Sequence, residues 1–358
     1  MPSTLTLETF DPLDPTRRHL ALAHLAVREA AGRADHGDRF RRYSLDELRA
    51  DARPARQDRS EYVTALVPDG AGGARVVGTA VHVFPLLDNR NQTFADVWVL
   101  PTHRRRGIGS ALIEHLVTRT RTGGRSLITL ESLRLLDRPD EASAFVARHG
   151  FRAALTDHRS DLDLPDDPAE KEPAVRTLLA PLDAEVAAAD PASDHDLVTY
   201  LDEIPERWLA GRAVLEGRMS TDAPLGDLEL EPEHWDGERL LESLARLRDA
   251  GRRLVETIAV QRSSGQVVGF TMLVVHPDHD GIAQQWNTLV LPEHRGRRLG
   301  MWIKAANLRA LLAHHPGVRQ IRTYNAEVNE PMLRVNRAMG FRAVAELTEW
   351  QRRLTPTP

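Results

Sequence analysis

Apolar positions along the chain switch between two periods, and the order of the switches occurs twice. From Trp235 to Arg248, Leu240, Leu241, Leu244 and Leu247 fall on one face at helical spacing. Ala259-Val260 and Val267 to Val275 are β-rich and flank Ser263-Ser264-Gly265, a hairpin-type turn. Much earlier, Tyr62 to Val67 and Val76 to Phe84 flank Gly70-Ala71-Gly72-Gly73 in the same manner. Phe94 to Val99 alternates as a strand does, Pro101 stops it, and Ile108, Ala111, Leu112 and Leu116 then share a helical face. Leu299, Ile303, Ala306 and Ala310 do likewise in the later part. The predicted order in each part is a helical front, a hairpin, a strand ending in Leu-Pro, a basic glycine loop, an amphipathic helix, a strand, a helix and a last strand. This is a mixed α/β class.

The two parts are copies. Val76-Val77-Gly78 recurs as Val267-Val268-Gly269 and Val99-Leu100-Pro101 as Val290-Leu291-Pro292, both 191 residues on; Gly150-Phe151-Arg152 recurs as Gly340-Phe341-Arg342, 190 on. Three matches in one order at nearly one offset mark an internal repeat. Residues 161–173 are rich in proline and charge and read as a linker unable to bury apolar area or hold a helix. The expected domains are therefore 1–160 and 174–358, and a length of 358 residues suits two cores.

Composition narrows the function. With 41% hydrophobic and 28% charged residues the chain reads as globular, no apolar run approaches the roughly 20 residues of a membrane span, and no leader pattern is seen at the start. The expected location is the cytoplasm, with no membrane partner. The net charge of −5 comes from interspersed signs, so nucleic acid is not an expected partner. No cysteine is present, which removes disulfides and a thiol acyl-enzyme.

Candidate chemistry follows each Leu-Pro. Arg104-Arg105-Arg106-Gly107-Ile108-Gly109 leads from a strand into a helix, where glycines admit a close ligand and first-turn amides with the helix dipole suit a pyrophosphate. Alone, the arginines also read as a solvated basic run. Neither the dinucleotide fingerprint nor the nucleotide P-loop is matched. Arg-x-x-Gly-x-Gly after a Val-x-Pro strand end resembles the pyrophosphate loop of the GNAT superfamily of N-acetyltransferases. The second copy has Arg295-Gly296-Arg297-Arg298-Leu299-Gly300, with Arg298 in place of the first family glycine, tolerable if its φ is negative.

The resemblance implies two tandem GNAT-like domains, each a mostly antiparallel mixed sheet flanked by helices. It implies acetyl-CoA as co-substrate, no metal, and contacts to it from Val99, Leu100, Arg104, Arg105, Arg106, Gly107, Ile108 and Gly109 in one copy. In the other copy these are Val290, Leu291, Arg295, Gly296, Arg297, Arg298, Leu299 and Gly300. Thr323 to Phe341 resembles the family segment in which an asparagine starts a helix that Gly-Phe closes; Asn329, with Pro331 just inside, also reads as an N-cap. Seven residues later, where many members carry a tyrosine that protonates the CoA thiolate, stand Asn336 and, in the first copy, Val146. Asn336 and Tyr324 are the remaining candidates for that work, and Glu327 is the candidate base; Asp96 and Glu131 are the first copy's carboxylates near the same strand ends. The thioester carbonyl is expected to meet a backbone N–H near Val290 or Val99.

In tandem members such as mycothiol synthase the C-terminal copy is catalytic, and by that analogy the second copy is favoured. The expected activity is direct acetyl transfer to a primary amine of a small molecule by a monomer or homodimer; a non-catalytic acyl-CoA sensor is the alternative. Four features are not taken as sites. His276 to Gly281 has metal-ligand residue types but turn chemistry, and His314-His315 reads as a solvated helix end. Trp286 and Trp302 flank the second loop as pocket or core residues, and the acidic stretch from Thr221 to Glu233 lines an amine's approach or is a solvated loop.

Overall fold

The computed structural model describes residues 5–37, 40–276 and 281–355. Among them are twelve strands and nine α-helices. The first copy runs β1 (Thr6–Phe10), α1 (Arg18–His36), α2 (Leu45–Ala52), β2 (Asp58–Pro68), β3 (Ala74–Pro85), β4 (Gln92–Val99), α3 (Ile108–Thr122), β5 (Leu127–Leu135), α4 (Ala142–Arg148) and β6 (Arg152–Asp163). The second adds α5 (Pro168–Ala189) and repeats the order. It has β7 (His195–Leu201), α6 (Glu206–Asp222), α7 (Gly237–Asp249), β8 (Arg253–Gln261), β9 (Val267–Val275), β10 (Ile282–Val290), α8 (Leu299–His314), β11 (Gln320–Ala326), α9 (Glu330–Ala338) and β12 (Arg342–Arg353).

The compact units are not the two copies. One contains Met1–Thr156, Gly226–Glu231 and Glu346–Pro358; the other contains Asp157–Leu225 and Pro232–Ala345. In the first unit the strand order is β1-β2-β3-β4-β5-β12, and in the second β7-β8-β9-β10-β11-β6. Each copy thus gives the larger part of its last strand, β6 from Asp157 and β12 from Glu346, to the other copy's sheet. β6 pairs antiparallel with β11 from Asp157↔Ala326 to Asp163↔Gln320. Trp350 donates to Ser132 (2.9 Å), Gln351 to Thr129 (3.1 Å) and the Leu354 amide to the Ser126 carbonyl (2.8 Å), running oppositely along β12 and β5. Elsewhere the sheets are antiparallel except at β4–β5 and β10–β11.

The expected linker is corrected by the same facts. Its first residues finish β6, and from Pro168 it is the start of α5, which contains Pro173 and Pro181. Each interior proline costs a helix about 3 kcal/mol. Val175, Leu179, Leu182 and Val186, spaced four, three and four, are buried in the core formed with Met301, Ala305, Leu308 and Ile321. Burying each returns roughly 1.5–3 kcal/mol, enough to override local propensity. Lys171 pins the helix start by donating to the carbonyls of Pro316 and Val318, both at 2.6 Å.

Two smaller readings also change. In α7, Leu240, Leu244 and Leu247 are buried while Leu241 is exposed, so the apolar face is narrower than the leucine count suggests. The acidic stretch is partly a strap of the first unit: the Glu231 carboxylate accepts from the Asn89 amide (2.9 Å), and the Glu229 amide donates to Gln351 (2.9 Å). No helix among the described residues is long and apolar enough to cross a membrane.

Trp350→Ala tests the exchange of strands. Trp350 is buried among Ile128, Leu130 and Phe151. Its truncation is expected to cost about 3–5 kcal/mol and to remove hydrogen-exchange protection from β5, about 220 positions earlier. Loss of protection in β11 instead would refute the pairing.

Candidate active site

In the second unit β10 and β11 run parallel only from Ile282↔Gln320 to Gln285↔Thr323. Beyond these four pairs both strands continue, β10 to Val290 and β11 to Ala326, without pairing to each other. A bulge sits where they part. Gln285 faces Leu273 of β9 but Thr288 faces Thr271, so Trp286 and Asn287 carry one residue more than the partner strand. The Gln285 side chain fills the irregularity, donating to Thr271 (3.0 Å) and to the Met272 carbonyl (2.8 Å).

The loop after β10 is tied down at both ends. The Leu291 amide donates to Val268 (2.9 Å), and Arg295 Nε donates to the Val290 carbonyl (2.9 Å). His294 Nδ1 meets the buried His195 Nε2 at 3.2 Å. Arg297 and Arg298 face Asp194 (3.5 Å) and Glu185 (3.0 Å). The first bond within α8 runs from the Trp302 amide to the Arg298 carbonyl (3.0 Å), which leaves the amides of Leu299, Gly300 and Met301 outside the helix ladder. A Cβ placed on Gly300 meets nothing nearer than a Val290 methyl at 3.9 Å. The space above this helix end is open.

The conformation of Arg298 differs from expectation. Its φ is +59°, and Gly296 has φ +80°; in the first copy the matching pair is Gly107 at +84° and Arg105 at +61°. Each loop therefore needs two left-handed residues, and each copy fills one with glycine and one with arginine, in opposite order. The left-handed form costs a non-glycine residue about 1–2 kcal/mol. A Cβ on Gly107 or Gly296 meets nothing within 4 Å, so the cost is torsional and no clash adds to it.

The other candidates lie around β11 and α9. Asn329 caps α9, its side chain accepting from the Met332 amide at 3.4 Å. Asn336 is buried and donates to Asn325 Oδ1 (2.5 Å), while its own Oδ1 is buried with no partner among the described residues. Tyr324 is half-buried and lies on the opposite side of β11 from Asn325. Glu327 is exposed in the turn after β11. Alternation thus separates Tyr324 from Asn336, the two residues considered for one proton transfer.

Behind the bulge is a charged network that the sequence reading missed. Asn287 donates to Glu216 (2.7 Å), and Arg212 joins Glu216 (2.7 Å) to the buried Glu256. Tyr200 also donates to Glu256 (2.6 Å). Burial pushes the Glu256 carboxyl up, against the pull of Arg212. One guanidinium faces two carboxylates here. Lys304 of α8 was missed as well. It is 2% exposed and contacts the Phe341 ring, 5.7 Å from its centroid, with no hydrogen bond or ion pair among the described residues. Burial alone brings its pKa down to about 7. A polar residue interrupting an apolar helical run is the signal that marks both Lys304 and Asn307.

The first unit shares the frame but not the opening. β4 and β5 pair from Gln92↔Leu127 to Ala95↔Leu130 and then part, yet β4 keeps an unbroken register with β3 from Phe94 to Val99. Its loop is held similarly: the Leu100 amide donates to Val77 (2.9 Å), and Arg104 reaches the Val99 carbonyl (3.3 Å) and forms two bonds of 2.7 Å to Asp35. A Cβ on Gly109 would lie 2.9 Å from Phe145 of α4, which covers this helix end. Ser110 and His149 join the same helices at 3.0 Å. Asp96 is half-buried, its pKa raised by burial and opposed by Arg28, and Glu131 is exposed.

Residues 63–153 match the family model of the acetyltransferase (GNAT) domain. The mycothiol acetyltransferase of Saccharomonospora viridis is 25% identical over 285 residues, covering 77% of this chain and 79% of that one. A tandem GNAT protein from the clavulanic acid biosynthesis pathway superposes with a TM-score of 0.75 at 25% identity, over 99% of this chain and all of the other. Residues 63–153 carry a GNAT acetyltransferase domain, and the chain as a whole is similar to tandem GNAT acyltransferases. The fold is shared further, with a GCN5-related N-acetyltransferase from Sphaerobacter thermophilus at 18% identity and a TM-score of 0.65, over 100% of this chain and 98% of that one. The family match falls on the first copy, whose loop keeps both glycines, whereas the open helix end and the bulge belong to the second. Residues 277–280, part of the discounted histidine-rich turn, lie outside the described residues; among those described, no cluster suited to a metal ion occurs.

The burial of Lys304 has a pH signature. Between pH about 7, its folded pKa, and 10.5, the ordinary value for a lysine, the unfolded chain holds a proton that the folded chain does not. Wild-type stability therefore rises with pH across that window. Lys304→Met is expected to be more stable than wild type by a few kcal/mol near pH 6, a gap that narrows toward pH 10 in urea titrations. A gap constant with pH would show that the ammonium is not desolvated.

Proposed function

We propose that the chain transfers an acetyl group from acetyl-CoA directly to a primary amine of a small molecule, with the second unit as the catalytic one. The observation that carries this reading is the parting of β10 from β11 beside an open α8 helix end, where Phe145 covers the corresponding end in the first unit. The amides of Leu299, Gly300 and Met301 and the positive end of α8 suit the pyrophosphate of CoA. Arg297 and Arg298, already balanced by Asp194 and Glu185, hold the loop's shape.

Acyl transfer needs a polarised carbonyl, a neutral amine and a proton for the departing sulfur. The bulge at Trp286 and Asn287 interrupts the ladder with β9, and it is a better source of a polarising backbone N–H than Val290, beside which the Leu291 amide is already bonded. The excess carboxylate of the Arg212–Glu216–Glu256 network lies behind that bulge and favours a cationic amine over an anionic acceptor. The absence of cysteine supports direct transfer over a thiol acyl-enzyme.

Calorimetry with acetyl-CoA tests the assignment. Wild type is expected to bind one equivalent, and Gly300→Glu to weaken binding by at least about tenfold, or 1.4 kcal/mol. Gly107→Glu is expected to leave binding intact. Phe145→Ala uncovers the first unit's helix end and is expected to admit a second equivalent. Loss of binding in Gly107→Glu alone would move the site to the first unit, and no binding by wild type would overturn the reading.

A further inference from the structure

The site as described has no acid for the leaving thiolate: Asn336 stands where the family tyrosine is expected, and a carboxamide has no proton to give at neutral pH. Lys304 lies one turn beyond Gly300 in α8, on the same side of the helix. Helical side chains lean toward the N-terminus, and one turn rises about 5.4 Å. A lysine at 304 therefore leans back along α8, away from its C-terminal half.

Its neighbours mark the same place. Nζ lies 5.7 Å from the centre of the Phe341 ring, and the Phe341 amide donates to the Asn336 carbonyl at 3.0 Å. The Asn336 side chain is held by Asn325 on the free end of β11 and keeps its own buried oxygen unpaired. An ammonium and a carboxamide oxygen, each without a partner among the described residues, thus belong to two residues that both neighbour Phe341. Each burial costs stability unless a ligand completes it. At the repeat offset of 191 the first copy has Ile113 in place of Lys304, buried and apolar, below the helix end that Phe145 covers. The lysine thus occurs only in the unit whose helix end is open.

We propose that Lys304 is the general acid of the second unit, giving its proton to the CoA thiolate as the thioester breaks. This rests on the acetyl-transfer reading above. The acceptor nitrogen bonds to the thioester carbon, the carbon–sulfur bond breaks, and sulfur leaves with the electron pair and takes a proton from the Lys304 ammonium. The acceptor nitrogen loses its proton to solvent, and solvent restores the one on Lys304. Desolvation holds the group near neutrality, where an acid is both protonated and ready to donate.

The test uses the full chain with hydroxylamine as the acceptor probe and two donors, acetyl-CoA and acetyl-seleno-CoA, whose selenolate departs without protonation. Lys304→Met fills the same volume without a charge, and Lys304→Arg keeps a charge that is not released as a proton. With acetyl-CoA both variants are expected to lose about 10²–10⁴-fold in kcat with KM for the donor nearly unchanged. With acetyl-seleno-CoA both are expected to return to within about tenfold of wild type, because the removed acid is not needed. Unchanged kcat with acetyl-CoA, or an equal loss with both donors, would refute the role. If wild type binds no acetyl-CoA and turns over neither hydroxylamine nor water, the acetyl-transfer reading fails and this role fails with it.

Discussion

Two neighbouring strands that pair in parallel and then separate leave backbone groups which no sheet partner satisfies, and the rest of each unit is arranged around that separation. Four residue pairs hold β10 to β11, and the same number hold β4 to β5. Where pairing stops, the helix from the following loop brings its own unbonded amides to the gap. Unbonded amides at a parted strand and at the helix end that follows it suit together a long, flexible ligand with an anionic middle. The final strand from the other copy covers the far side of β5 and β11, so each parted strand keeps one paired edge.

The two copies have spent the same frame differently. In the first, register along β4 is unbroken, Phe145 fills the space above Gly109, and the position of Lys304 is an aliphatic residue. In the second, the bulge, the uncovered Gly300 and a buried lysine each sacrifice stability: a lost ladder bond, a lost packing contact and a desolvated charge. Local rules broken together at one place are characteristic of a working site rather than of a scaffold.

Much of this was legible in the sequence. The repeat offset, the hairpins, the Leu-Pro strand ends and the glycine loops were readable because each rests on local periodicity or turn chemistry. What sequence could not show was non-local. The prolines of 161–173 point away from a helix, and only the tertiary burial of Val175, Leu179, Leu182 and Val186 reverses that. The destination of β6 and β12 depends on pairing across some 160 to 220 positions, which no window reveals. Arg298 was misjudged for a related reason: the cost of positive φ was weighed without knowing that a side chain there has room. Within the candidate site, Tyr324 and Asn336 are near in sequence but on different sides of a strand, and Lys304 was passed over as one charge within an apolar helix.

The exchange of last strands also sets a timetable for biogenesis. During synthesis the first copy is complete at β6, yet that strand belongs in the sheet that follows, and the gap beside β5 waits for β12, which is made after α9. Until then β5 presents an unpaired edge, a hazard for aggregation in a nascent chain. The first unit leaves the ribosome before the second yet closes only once β12 is made, so a chain cut between its copies yields two fragments that each carry the other's missing piece.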